Sequence, residues 1–305
     1  MSNPKTVAPD GTVREFHYTE TPRFIQIETN LACNAKCPFC PYVHMERGPK
    51  VMEDHIWRKI VDETRNLGIT YRPFLINEPL SEKRLPEIIE YIKQDSTARV
   101  EINSNGGLLT EKRAKQILDA GIDHVRLSID GFSRETHEKS RVGVDYDKVV
   151  EYTNQFIKIR NAGNYKTIIE VRSIDLPENR HEHEDYLAYW TPRADQVLIT
   201  PLYEWPWSGQ TTSVQKPCLK ILDEMFFYTN GTAPLCCWDE ASRGIVGDVH
   251  KQTVLEIWNG PEMHAMRELL NRGRRDLITL CSRCNAYEDV PFVGFEEDSA
   301  APAAT

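Results

Sequence analysis

The sequence predicts an α/β chain, with an incomplete parallel barrel of six β/α units followed by a small cysteine-bearing module. Three observations carry this. Strand-like and helix-like patterns alternate from residue 24 to residue 199, as right-handed βαβ units and a parallel sheet require. The strand-like runs number six, fewer than the usual eight-stranded closed barrel needs. The eight cysteines fall into two groups, one just after the first run and one beyond the last.

Taken in order, the short apolar runs are Phe24-Ile-Gln-Ile27, Phe74-Leu-Ile76, Val100-Glu-Ile102, Val125-Arg-Leu-Ser-Ile129, Ile168-Ile-Glu-Val171 and Val197-Leu-Ile199. Helical spacing links them. Ile56, Ile60, Val61 and Leu67 mark one helix, and Leu85, Ile88, Ile89 and Ile92 the next. Ala114, Ile117 and Leu118 follow, then Val149, Tyr152, Phe156 and Ile159. The stretch from Tyr203 to Pro217 breaks the rhythm and reads as a connector. These patterns divide the chain into an extension (1–22), the barrel (23–202), a connector (203–215), the cysteine module (216–290) and a tail (291–305) whose last residues look frayed. In a parallel barrel the chemistry collects at the C-terminal ends of strands, where most polar signals of this chain fall.

Composition narrows the function classes. Apolar residues make up 40% and charged residues 27%, as in a soluble globular protein. The net charge of −9 argues against phosphate-driven binding of nucleic acid. An apolar run long enough to cross a bilayer and a basic-then-apolar signal are both missing, so a cytoplasmic location is expected and no membrane partner. In a reducing compartment eight cysteines need a role other than disulfides.

The first group, Cys33, Cys37 and Cys40, is spaced C-x3-C-x2-C. A structural zinc wants four ligands, whereas three thiolates suit a four-iron cluster with one iron left open. The stretch Ile25-Gln-Ile-Glu-Thr-Asn-Leu-Ala-Cys33-Asn-Ala-Lys-Cys37-Pro-Phe-Cys40 closely resembles the signature of radical S-adenosylmethionine (SAM) enzymes. The resemblance implies a partial six-stranded barrel, a SAM-binding [4Fe–4S] cluster on these cysteines, and a 5′-deoxyadenosyl radical made by reductive cleavage of SAM. It places Phe39 against the adenine. Ile76-Asn77-Glu78-Pro79 resembles the Gly-Gly-Glu-Pro motif that binds the methionine amino group, with Ile76 and Asn77 replacing both glycines. Ser104-Asn105-Gly106 resembles the Thr-Asn-Gly turn, and Ser128-Ile-Asp130-Gly131 the Ser-Leu-Asp-Gly pattern near the SAM ribose and tail. In His137-Glu-Lys-Ser-Arg141-Val-Gly143, similar to the family's His-x3-Arg-x-Gly, Arg141 would hold the SAM carboxylate as a fixed fork.

The second group resembles the smaller twitch version of the SPASM domain, as in radical SAM aminocyclitol dehydrogenases. That resemblance implies one auxiliary [4Fe–4S] cluster on Cys218, Cys236, Cys281 and Cys284, with zinc as the alternative occupant. Cys237 is left over. It is either a buried small hydrophobe or a thiol that returns a hydrogen atom to a substrate radical. His181 and His183 alternate with acids and read as solvated, while Trp205 and Trp207 are core or cavity residues.

The expected function is a radical SAM oxidoreductase acting on a small sugar- or aminocyclitol-like molecule, with reducing electrons from a donor such as flavodoxin or ferredoxin. In the dehydrogenase version the substrate radical loses a proton and passes its electron to the auxiliary cluster, leaving a ketone. In the epimerase version Cys237 is catalytic and only stereochemistry changes. Peptide maturation and a zinc-stabilised binding protein without catalysis are the remaining alternatives. The former is weighed down by the short segment before the first strand.

Overall fold

The computed structural model describes residues 4–7, 13–15, 18–48, 50–202, 218–284 and 292–295. In chain order its strands and helices are β1 (Pro4–Val7), β2 (Val13–Glu15), β3 (Phe24–Ile27), α1 (Asp54–Asp62), β4 (Thr70–Arg72), α2 (Leu85–Ile92), β5 (Arg99–Ser104) and α3 (Glu111–Asp119). Then come β6 (His124–Ser128), α4 (Arg134–Ser140), α5 (Tyr146–Ala162), β7 (Ile168–Asp175), α6 (His183–Trp190) and β8 (Gln196–Pro201). The cysteine module adds β9 (Glu224–Phe227), β10 (Thr232–Pro234), β11 (Ile245–Asp248), α7 (Val254–Trp258) and α8 (Pro261–Asn271), and β12 (Phe292–Phe295) follows.

The central sheet is parallel and runs β8-β7-β6-β5-β4-β3-β9. Five of its strands fall on the runs the alternation predicts, and a sixth lies just before the predicted one. The seventh, β9, comes from the cysteine module and pairs with β3 from Phe24↔Glu224 to Ile27↔Phe227. Sequence order hides this, because β9 lies nearly 200 residues beyond its partner. The segment read as a tail (291–305) contains a strand, since β12 pairs antiparallel with β1, which in turn pairs with β2.

Two expectations are corrected. The second strand is Thr70–Arg72 rather than Phe74–Ile76. Its pairing with β3 ends at Arg72, Pro73 has no N–H to extend a ladder, and Phe74 N–H turns back onto the Arg72 carbonyl at 2.7 Å. Leu67 lies outside α1 and is 37% exposed, because the chain leaves the helix through left-handed Asn66 and Gly68. The other helical faces pack as the spacing predicts. Leu85, Ile88, Ile89 and Ile92 of α2 are fully buried against the sheet core, where truncation of one such side chain costs about 2–5 kcal/mol.

The strand ends set up the site. The loop after β3 carries Cys33–Cys40, that after β4 carries Glu78, and those after β5 and β6 carry Asn105 and Asp130. All lie at the C-terminal edge of the sheet, as in parallel barrels generally. No described helix is long and apolar enough to cross a membrane.

Candidate active site

A cavity of about 450 Å3 opens at this edge, walled by Cys33, Cys37, Phe39, Cys40, Asn77, Glu78, Ser104, Asn105, Ser128 and Arg141. Of the residues expected there, Asp130 stands back from the wall. It is fully buried, accepting from Arg141 Nε at 2.6 Å and from Ile174 N–H at 2.9 Å. Asp130 therefore positions Arg141, whose guanidinium lies 5.1 Å from the Phe39 ring and 4.0 Å from Cys37 Sγ. Gly131 makes this turn feasible, since its φ of +89° suits only glycine and a Cβ would meet Glu182 and Thr136 atoms within 3 Å.

Glu78 is clamped. Its carboxylate accepts from Ser104 Oγ (2.7 Å), Leu80 N–H (2.9 Å) and Asn105 N–H (2.8 Å). Burial pushes the carboxyl up, against these hydrogen bonds. Asn77, in place of a motif glycine, is tied into the loops, accepting from Leu75 N–H at 2.8 Å and donating to Asn30 Oδ1 at 3.1 Å. Asn105 Nδ2 donates to Asn34 Oδ1 at 2.9 Å, fastening the cysteine loop to the end of β5. On its other side Lys36 N–H donates to the Val142 carbonyl at 2.8 Å, where a Cβ on Gly143 would press within 3.0 Å of the Asn34 carbonyl oxygen.

The donor set of the first group fits a cationic metal cluster. All eight cysteines of the chain are free thiols. Burial pushes Cys33 up to about 12, with Cys37 and Cys40 raised for the same reason. Thiols desolvated in this way stay protonated until a metal replaces the proton. Among the described residues no three His, Cys, Asp or Glu side chains converge on one metal ion, so the fit rests on donor identity and environment.

The cysteines of the second group are neighbours in pairs. Cys281 is pushed up by burial and by neighbouring Cys218 and Cys284, and Cys236 interacts with Cys237 and Cys218. Asp239 fixes the turn that carries Cys236 and Cys237, accepting from Arg243 and Gly244 N–H at 2.8 Å each. Arg47 links the turn to the first loop. It forms a fork on buried Glu28 (2.7 and 2.9 Å), donates to the Glu240 carbonyl at 2.9 Å and lies 3.9 Å from the Tyr228 ring.

Cys237, hydrogen-bonded to Cys236, also lines a second cavity of about 410 Å3 together with Trp238. Phe74, Leu75, Asn103, Arg126, Arg172 and Trp238 border both cavities, so the two adjoin. His181 is 71% exposed at its side chain, as expected, but His183 is half-buried with Nε2 3.0 Å from Asn179 Oδ1. Trp205 and Trp207 lie outside the described residues.

Sequence reasoning missed the second cavity's Arg72, Arg126, Arg172 and Lys220. The signal was the alternation inside the strand runs, where Glu101, Arg126, Glu170 and Arg172 occupy inward positions between buried apolar residues. Behind the cations, burial alone would raise the Glu101 carboxyl, but hydrogen bonding to His124 and the Arg126 and Arg72 charges hold it well below the usual carboxylate range. Glu170 and Glu224 are lowered likewise, against burial, the first by His124 and Arg172 and the second by Lys220 and Arg72.

An incomplete parallel barrel with a cysteine loop after its first strand and a second cysteine module defines the class, and the sequence comparisons agree. Residues 27–178 match the radical SAM superfamily model and residues 218–285 the SPASM iron–sulfur cluster-binding domain. The chain belongs to the radical SAM superfamily, a group of iron–sulfur enzymes. A probable GTP 3′,8-cyclase of Methanococcus maripaludis strain C6 is 30% identical over 217 residues, covering 61% of this chain and 69% of that one. Against the corresponding strain C5 protein, 32% identical over 149 residues, the chain spans 46% of the relative's length and 48% of its own. The SAM-dependent 2-deoxy-scyllo-inosamine dehydrogenase of Niallia circulans is 22% identical over 86% of this chain and 92% of its own. The crystal structure of BtrN with AdoMet and 2-DOIA superposes with a TM-score of 0.63 at 18% identity, covering 86% of this chain and 92% of that one, which establishes the shared fold. The cofactors that follow from the two domains are SAM with its cluster and an auxiliary [4Fe–4S] cluster.

Proposed function

We propose that the chain is a radical SAM dehydrogenase of a small hydroxylated molecule bound in the second cavity. The observation that carries this reading is the adjoining pair of cavities, one walled by Cys33, Cys37 and Cys40 and the other by Cys237 of the second cysteine group. Resemblance over nearly the full length to an inosamine dehydrogenase supports the reaction type. When bound, the SAM cluster supplies hydrogen-atom abstraction from carbon and the auxiliary cluster accepts one electron.

The chain's own residues do the rest. Cys33, Cys37 and Cys40 hold the SAM cluster, and Cys218, Cys236, Cys281 and Cys284 hold the auxiliary one. Arg141, fixed by Asp130, receives the SAM carboxylate. The region of Asn77, Glu78, Ser104 and Asn105 would receive the amino group, Ser128 the ribose and Phe39 the adenine. Barrel residues 23–202 and module residues 216–290 act together through β9. A low-potential donor such as flavodoxin or ferredoxin would supply the reducing electron.

A second reading, epimerisation, is favoured by one observation, that Cys237 faces the second cavity. Turnover in deuterated water separates the two. Dehydrogenation yields a ketone and survives Cys237→Ala. Epimerisation puts one deuterium into product and is lost with Cys237→Ala. Zinc in place of iron after anaerobic reconstitution, with no 5′-deoxyadenosine under reduction, overturns both.

A further inference from the structure

The second cavity has an unusual wall. Four of its lining side chains are cations, Arg72, Arg126, Arg172 and Lys220, and none of its lining residues is an acid. The balancing carboxylates stand behind them on the strands. Glu101 pairs with Arg72 and Arg126, Glu170 with Arg126 and Arg172, and Glu224 with Arg72 and Lys220. Four cations against three carboxylates leave an excess positive charge, and geometry puts the positive ends toward the space. The glutamates are 3–12% exposed at their side chains and the four cations 15–34%. Planar guanidiniums held from behind by carboxylates are pre-organised to take an anion in front. An ammonium group entering the same space meets like charges first.

We infer that the substrate carries an anionic group, a carboxylate or a phosphate ester, that is received by Arg72, Arg126, Arg172 and Lys220. This rests on the reading that the second cavity is the substrate chamber. It opposes the net charge of −9, which by itself suggests steering of cations; the local wall, and not the overall charge, sets the short-range field. It also separates this chain's substrate from an aminocyclitol such as an inosamine, whose amine is cationic at neutral pH.

The test is calorimetric binding to the full chain, anaerobically reconstituted and saturated with SAM so that the adjoining cavity is filled. The probes are D-glucuronate, D-glucose 6-phosphate, neutral D-glucose and cationic D-glucosamine. At least one anion binds about tenfold or more tighter than either other sugar, and the tighter of the two distinguishes carboxylate from phosphate. Anion affinity falls as salt rises from about 50 to 300 mM. Lys220→Met and Arg172→Gln each weaken the anion about tenfold, and Lys220→Arg restores it. Glucose or glucosamine binding as tightly as the anions, anion binding insensitive to salt, or no anion binding at all overturns the inference. Thermal melts confirm that the variants fold; where one does not, the salt series on the unsubstituted chain decides. Formation of 5′-deoxyadenosine from SAM under dithionite is measured separately. Its absence overturns the enzymatic reading, while the probe affinities report on the cavity alone.

Discussion

Asp130→Asn isolates the main positioning contact of the site. Asp130 is fully buried and Arg141 13% exposed at the side chain, with Nε and Oδ2 2.6 Å apart. At a charge separation of about 4 Å and an effective dielectric of about 20, the pair is worth about 4 kcal/mol. The amide keeps the shape and one accepting oxygen, restoring about 1 kcal/mol. The net loss is about 3 kcal/mol, in line with the cost of leaving one buried charge unpaired. Urea unfolding of the anaerobic apo-protein at pH 7 reads this directly, and a second titration reads SAM affinity on the reconstituted protein. Affinity falls by about tenfold or more because Arg141 loses its fixed orientation. Asp130→Asn with unchanged stability and unchanged SAM affinity would refute the positioning role.

Three further outcomes follow from the same geometry. Gly131→Ala forces a Cβ to within 2.6 Å of Glu182 Oε2 at a φ of +89°, and a loss of about 1–3 kcal/mol in the same unfolding assay is expected. His137 is fully buried, and burial lowers it to about 4 from an ordinary 6.5, so the folded state keeps it neutral. Between those values the unfolded chain binds a proton that the folded chain refuses. Its contribution is whole above pH 6.5 and is lost as pH falls through 4, on the order of 3 kcal/mol, and His137→Phe flattens that part of the stability–pH curve. Cys281→Ala lowers iron from about eight to about four per chain while SAM cleavage to 5′-deoxyadenosine persists; Cys37→Ala also halves the iron but abolishes cleavage.

Local patterns were legible because local physics decides them. Short apolar runs and helical spacing located five of the six expected barrel strands and the faces of α2, α3 and α5, and loop motifs brought Cys33, Glu78, Asn105 and Arg141 to one cavity. The exceptions have physical causes. Phe74–Ile76 is apolar enough for a strand, but Pro73 ends the ladder before it. β9 was invisible as a barrel strand because its partner β3 is remote in sequence, and pairing at that distance leaves no periodic trace. Asp130 carries the family's motif, yet its depth behind Arg141 depends on the Gly131 turn and on the Ile174 N–H. The cationic wall draws on β4, β6, β7 and the turn before β9, so no single segment displays it.

The central claim is that this chain holds two iron–sulfur clusters, one of which binds and cleaves SAM. Anaerobic reconstitution with quantified iron and zinc, followed by single-turnover assay for 5′-deoxyadenosine, tests it most directly. The two cysteine groups and the two matched domains predict about eight irons per chain and 5′-deoxyadenosine formed under reduction. Zinc in both cysteine groups, with SAM recovered intact, would contradict it.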